Sequence, residues 1–387
     1  MYFSGQCISL CGTWMQTMGQ SWLVLKLTNS GVQLGLVTAA QFLPVLILAP
    51  WGGTIADRFP KRQVLYLTQT MAGLLALALG ILVGTGTVRL WMVYVLASLL
   101  GLVYAVDHPT RQTFIVEMVG PNQLTNAVSL NSAQVNLARV VGPAIGGVLI
   151  ATVGLTPLFI GNAASYIAVL AGLFRMRANE LQSVAVAVDG KRRLSEGLRY
   201  VRFNPVLRNT LLMLGIVGTL TYEFTVILPL FARFTFHSEA GGFAALVMAR
   251  GFGSAIGGLY SAARTRTTAT MLPVAALVFG LAVLAAAAAP TLVLAVIAMT
   301  VVGLCSIIFL SLGNVILQQQ SDPLMRGRVM SFWTVAFLGS TPIGGPIIGW
   351  IAQHAGPRWG LATGGFAALL AAAWGARTLR RSDFRTP

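Results

Sequence analysis

The sequence predicts an all-α integral membrane protein of twelve transmembrane helices, arranged as two halves of six. Three observations predict it. The 387 residues are 56% hydrophobic and only 9% charged, with a mean hydropathy of +0.77, whereas a water-facing chain carries about 25% charged residues. The apolar residues gather into runs that match the roughly 20 residues a bilayer crossing needs. The basic residues stand between those runs, mostly in alternate gaps. A soluble enzyme, a nucleic-acid binder and a disordered chain are all excluded by that composition.

The predicted spans cover 2–25, 32–56, 63–84, 91–110, 125–152 and 155–175, then 206–231, 241–263, 269–289, 292–319, 327–354 and 358–378. Each is an apolar run bounded by Gly, Pro or charge. Each reads as helix, because hydrocarbon offers backbone N–H and C=O groups no water and a span must satisfy them within itself. A membrane barrel would show alternating strands of about 10 residues, and the sequence has none. The first span carries Gln6, Thr13, Gln16 and Gln20 roughly on one face, which predicts a polar wall contacting substrate. Amide hydrogen bonds to a neighbouring helix are the competing reading. Asn314, Gln318, Gln319 and Gln320 in the tenth span invite the same pair of readings. Cys7, Cys11 and Cys305 fall inside apolar runs without His or acid neighbours, so small core residues and no metal are expected. His108, His237 and His354 stand near predicted loop ends and are expected to be solvated. Met1-Tyr2-Phe3 offers no basic n-region and no cleavage site follows, so no signal peptide is expected.

Orientation follows from the Lys and Arg count. With both termini cytoplasmic, twenty of the 26 basic residues lie inside; Lys26, Arg89, Arg233 and Arg358 lie outside, and Arg139 and Arg250 lie within helices. The net charge of +16 is thus a topology signal, and no nucleic-acid partner is expected. The predicted location is a bacterial cytoplasmic (inner) membrane. The longest polar stretch, 176–205, separates an N-terminal bundle at 1–175 from a C-terminal bundle with a short basic tail at 206–387. Within it Leu194, Leu198 and Val201 share one helical face while Arg193, Arg199 and Arg202 point elsewhere. That is the pattern of an amphipathic helix at the cytoplasmic interface, with a plain linker as the alternative. Sliding the chain by 202 residues pairs Pro121 with Pro323, Ser129 with Ser331, Gly142 with Gly344, Ile145 with Ile347, Gly147 with Gly349 and Gly154 with Gly356. The Gly/Pro clusters thereby fall in the fifth helix of each half, a repeat plan known among transporters.

Two motifs carry more. Gly53-Thr-Ile-Ala-Asp57-Arg58-Phe-Pro-Lys61-Arg62 joins the second and third spans on the cytoplasmic side. Its Gly permits close helix approach, and its charges can pair with each other or with a helix terminus. Gly142-Pro143-Ala-Ile-Gly146-Gly147 stands in the fifth span, where Gly-Pro frees a carbonyl and lets the helix bend. The first resembles the G-x-x-x-D-R-x-x-R/K-R signature of the major facilitator superfamily, and the second resembles that superfamily's antiporter motif. Asp107-His-Pro109-Thr-Arg111, Leu124-Thr-Asn126-Ala127 and the stretch from Ser195 to Arg208 look like the enterobactin-exporter and macrolide-efflux group. The resemblance implies two pseudo-symmetric six-helix bundles around a central cavity, rocker-switch alternating access, and a proton gradient as the driver with no other cofactor. It implies a gate built on Gly53, Asp57, Arg58, Lys61 and Arg62, with Asp107 and Arg111 as neighbours in the same network. Two departures stand out. Gly12-Thr13 puts no acid in the first span, and the second-half counterpart around Gly257-Gly258 to Arg264 lacks the Asp, so the latch is one-sided.

A charge at the bilayer centre costs about 2.5–3.5 kcal/mol on insertion scales, so Arg139, Glu223 and Arg250 each need a reason. At about 1.5 Å per residue Glu223 and Arg250 lie roughly 12 and 15 Å below the outer ends of their helices, depths compatible with a pair. Glu223 is the expected proton-coupling carboxylate, and a structural Glu223–Arg250 pair is the alternative. The sequence holds no P-loop, so ATP drive is not expected. The function expected is secondary efflux of an amphipathic small molecule, such as a drug, macrolide or siderophore-like metabolite, by a monomer in the lipid bilayer. A lipid or lysophospholipid flippase of the same fold is the rival, followed by a non-transporting membrane sensor. An intramembrane enzyme would need clustered acids, His or a nucleophile, and Glu223 is the one deep acid predicted.

Overall fold

The computed structural model describes residues 2–176, 194–264, 268–322, 325–337 and 340–379, all of them in helices or short connections. Among these residues the elements of the first half are α1 (Tyr2–Thr28), α2 (Gly31–Arg58), α3 (Lys61–Gly84), α4 (Leu90–Thr152) and α5 (Leu155–Phe174). The connecting stretch holds α6 (Leu194–Phe203). The second half holds α7 (Pro205–Leu220), α8 (Phe224–Leu230) with a π-helical turn at Phe231–Thr235, α9 (Ala240–Ala263), α10 (Met271–Ala288), α11 (Leu292–Gln319), α12 (Arg326–Phe337), α13 (Thr341–His354) and α14 (Pro357–Leu379).

Three elements differ from the sequence reading. α4 runs for 63 residues, where two spans with a break at 111–124 were expected. Straight, it would measure roughly 95 Å, three times the hydrocarbon thickness of about 30 Å. Its packing shows that it doubles back. Leu100 packs on Tyr166, which shares a hydrogen bond with Thr13, and Phe114 stacks edge-on against Tyr2, centroids 5.8 Å apart. Gln134 then donates to the Phe3 carbonyl at 2.6 Å, and Gly142 and Gly146 lie on Cys11 and Met15. The first arm therefore runs toward the start of α1 and the second runs away from it. The two predicted spans exist as Leu90–Val119 and Ala133–Thr152, joined by helix, with Gly120-Pro121 in the joining sequence. The seventh predicted span, in contrast, is broken into α7 and α8. Finally, the amphipathic reading of α6 divides its apolar face: Val201 is buried while Leu198 is exposed.

Eleven stretches among the described residues are long and apolar enough to cross a bilayer. α1 has the length, at 27 residues, and misses on hydropathy because Gln6, Ser9, Thr13, Gln16, Thr17, Gln20 and Ser21 interrupt it. It still packs lengthwise against α4 and α5, as the contacts above show.

The chain divides into two compact units. One is Met1–Asn29, Val37–Val188 and Glu239–Met248; the other is Ser30–Leu36, Asp189–Ser238 and Ala249–Pro387. Each thus borrows the opening turns of one helix, α9 in the first and α2 in the second. Lipid tails are as apolar as leucine, so helices within each unit are held by close packing, and small residues permit it. In the second unit a Cβ on Gly253 would stand 1.8 Å from the Thr300 carbonyl oxygen, and one on Gly303 2.0 Å from the Arg250 carbonyl oxygen. α9 and α11 therefore touch backbone to backbone. The borrowed start of α2 packs the same way on α13, through Gly31 on Gly349 and Gly35 on Gly345. Gly253→Ala is expected to destabilise the protein by about 1–3 kcal/mol through overpacking, read as a lower Tm of the detergent-purified chain. Gly241→Ala, with nothing within 4 Å of its Cβ, should leave Tm unchanged or slightly higher. Equal Tm for both variants would contradict this packing.

Candidate functional site

Glu223 does not lie within a helix, as the sequence reading had it. It occupies the gap between α7 and α8 and opens α8, its own carbonyl accepting from the N–H groups of Val226 and Ile227 at 3.0 Å each. Other helices of the unit hold the gap open. The Thr221 hydroxyl donates to the Gly364 carbonyl at 2.8 Å, and the Tyr222 hydroxyl donates to the Ser306 carbonyl. Tyr222 also lies against Phe337, Phe279 and Phe224, at centroid distances of 4.7, 5.6 and 6.1 Å. The break thus sits in an aromatic cluster rather than in lipid.

The Glu223 side chain is 2% exposed and turns toward α13. A Cβ on Gly344 would stand 2.9 Å from Oε1, and one on Gly345 3.5 Å from Oε2, so two glycines make room for the carboxyl. The Thr341 hydroxyl donates to the carboxyl, and Oε1 has no hydrogen-bond partner among the described residues. The Arg250 guanidinium lies over the neighbouring Phe224 ring, 4.6 Å from its centroid. The depth match between Glu223 and Arg250 therefore brings the arginine to the residue beside the glutamate, as a cation–π contact.

In the first unit the predicted gate residues separate into two places. Asp107 is 1% exposed and accepts from the Thr68 hydroxyl at 2.8 Å and from Gln69 Nε2 at 2.6 Å, while pairing with Arg111 one turn away. Asp107 is thus a second buried acid, in addition to Glu223. Lys61 pairs instead with Glu117 at 2.8 Å. Arg62 donates to the carbonyls of Leu173 and Phe174 at 3.0 and 3.1 Å, capping the end of α5, where the carbonyls lack helical partners. Glu117 is ten residues beyond Asp107, about 15 Å along the helix, so among the described side chains Lys61 and Arg62 have partners other than those of Asp107 and Arg111. Arg58 is exposed, and the packing at Gly53 and the Asp57 side chain lie outside the described part.

The remaining predicted residues fall as follows. Gly142 brings the second arm of α4 onto α1, its Cβ position 2.5 Å from the Cys11 carbonyl oxygen, while Gly147 meets Ala244 at 2.3 Å. Pro143 and Gly146 are buried in the same seam. Gln16 accepts from Asn162 Nδ2 at 2.6 Å, buried between α1 and α5, and Gln20 donates to Gln41 at 3.3 Å. Both thus tie helices to each other, as the packing reading expected. Arg139 lies 5.1 Å from the Trp14 ring centroid. His108 sits inside α4, exposed and 5.2 Å from the Tyr104 ring, not at a loop end.

The whole chain, residues 2–383, matches the family model described as transmembrane secretion effector. The protein belongs to that family, within the major facilitator superfamily. It is 33% identical to the staphyloferrin A transporter of Staphylococcus aureus over 171 residues, which is 44% of this chain and 43% of that one. It is 28% identical to the multidrug efflux pump Tap of Mycolicibacterium fortuitum over 348 residues, 87% of this chain and 84% of that one. The enterobactin exporter EntS of Citrobacter koseri aligns at 24% over 347 residues, 87% and 80% of the two chains. Among solved structures, an inward-facing, unoccupied bacterial homologue of the human lysosomal transporter Spinster superposes with a TM-score of 0.76 at 17% identity, over 98% of each chain. The chain is a transporter of the major facilitator fold and not an enzyme.

Sequence reasoning missed Thr341, Tyr222, Gly345 and Glu117 as partners. The 202-residue repeat pointed at Gly344, and Glu117 was legible as an acid close to the basic start of α3. No sequence signal marked Thr68 and Gln69 as the partners of Asp107. Removing one member of the buried pair, by Asp107→Asn or Arg111→Met, is expected to cost about 3–5 kcal/mol, whereas Asp107→Leu combined with Arg111→Met should cost less than either. Thermal unfolding of the purified variants checks this; a double variant less stable than both singles would contradict it.

Proposed function

We propose that this transporter exports an amphipathic small molecule from the cytoplasm in exchange for protons, with Glu223 as the group that alternates between proton and substrate. The single observation that carries the reading is Glu223 Oε1: a carboxyl oxygen buried at a break in a spanning helix, without a hydrogen-bond partner among the described residues, in a chain otherwise poor in charge. A buried polar atom left unsatisfied costs free energy, and a proton or a cationic group on a substrate relieves that cost. Discontinuous spanning helices are where transporters place such sites. The aromatic set of Tyr222, Phe224, Phe279 and Phe337 suits a molecule with a flat apolar part. The printed functions of the relatives, a multidrug efflux pump and an enterobactin exporter, favour the export direction. Both termini lie in the cytoplasm, on the evidence of the basic-residue count. Lys61–Glu117 and Arg62 form the gate-side ties of α3 to α4 and α5, with Asp57 and Arg58 acting beside them.

The test is efflux of ethidium and of erythromycin from cells expressing the protein, with and without a protonophore. The wild type should export at least one of them, and export should collapse with the protonophore. Glu223→Gln at equal membrane abundance should fall to the level of cells lacking the protein. Protonophore-sensitive export undiminished in Glu223→Gln would remove Glu223 as the coupling group.

A further inference from the structure

We infer that the outward face of α6 is a binding surface for anionic phospholipid headgroups. α6 stops one residue short of the seventh span: Asn204 Oδ1 accepts from the N–H groups of Val206 and Leu207 at 3.1 and 3.2 Å, and Pro205 opens α7. A helix tied that closely to the mouth of a spanning helix lies at headgroup depth. Its inward face is already occupied. Val201 is buried, Gly197 rests against Arg328 and Phe332, Glu196 pairs with Arg328 at 2.9 Å, and the Asp322 N–H donates to the Tyr200 hydroxyl at 3.0 Å.

What remains outward is Leu198, Arg199, Arg202 and Phe203. Leu198 is 59% and Phe203 77% exposed, and both arginines are exposed. Exposed Arg208 follows one turn into α7, and Lys191-Arg192-Arg193 precede the helix in sequence. The one acid of α6, Glu196, is exposed but held in an ion pair with Arg328, so the unpaired part of the outward face is basic and apolar. Leu198 and Phe203 can enter the acyl boundary while the guanidiniums take phosphates, the balance of a surface helix on an anionic leaflet. A polyanion in water would leave the two large apolar side chains unused, and a zwitterionic leaflet would leave the arginines unmatched. Because the inward face of α6 grips Arg328 of α12 and the Asp322 backbone ahead of it, headgroup binding also ties that end of α12 to the lipid composition. The inference rests on the placement of α6 and not on the proton role of Glu223, so the two fail separately.

The full-length protein in nanodiscs tests it, with the apolar fluorophore NBD on Leu198→Cys and the unsubstituted chain taken through the same labelling to set the background from Cys7, Cys11 and Cys305. In discs of phosphatidylcholine with phosphatidylglycerol, the probe should be quenched by doxyl-labelled lipid, and less so in phosphatidylcholine alone. Added to the labelled chain, Arg199→Gln with Arg202→Gln should lower the inserted fraction about tenfold, and high salt should act in the same direction. An aqueous probe in both lipids would overturn the proposal. Equal quenching in both, or quenching indifferent to the two arginines, would overturn its anionic specificity.

Discussion

Hydrocarbon cannot hydrogen-bond a peptide group, and almost everything in this structure answers to that constraint. It makes every long element a helix. It also makes the break at Thr221–Glu223 informative, since a helix interrupted at membrane depth must find partners elsewhere. Thr221 finds the Gly364 carbonyl on α14, and Tyr222 finds the Ser306 carbonyl on α11. Gly364 approaches within 2.9 Å, at its Cβ position, of the Leu220 carbonyl oxygen, so that partner lies against the break itself. Two helices, α11 and α14, thus stabilise one gap, and the residue at its edge is a glutamate.

The glycines extend the same logic. Gly344 comes so close to α7 that a Cβ would stand 1.8 Å from the Thr219 carbonyl oxygen. That approach closes α13 over Glu223, excludes lipid from the carboxyl, and leaves space for its two oxygens. The equivalent glycine of the first half, Gly142, presses α4 onto α1 at Cys11, where no carboxyl waits. One packing device serves both halves, and among the described residues a carboxyl lies against it in the second.

The architecture was legible from composition, because run length and charge placement report on the bilayer directly. The two crossings in α4 were legible too, though not their bounds: the runs at 91–110 and 125–152 appear as Leu90–Val119 and Ala133–Thr152. Partnership was less so. Gln16, Gln20 and Gln6 share a face of α1, and that periodicity holds equally for a substrate wall and for a seam against α5. Asn162, far away in sequence, is what ties Gln16 to that seam. Asp107 and Arg111 lay near a signature of basic residues, yet Thr68 and Gln69 hold Asp107 deep in the unit. The break at Glu223 carries no helix-breaking Gly or Pro of its own, with Pro229 a turn and a half later. It arises from tertiary contacts, which a local reading does not see.

The central claim is that Glu223 exchanges its proton against substrate. The most direct measurement is proton release in weakly buffered solution when the purified protein binds whichever compound the cells export, followed with a pH indicator. Release from the wild type should be proportional to substrate bound, and Glu223→Gln should release none. Equal release from both proteins would contradict it and place the coupling proton elsewhere.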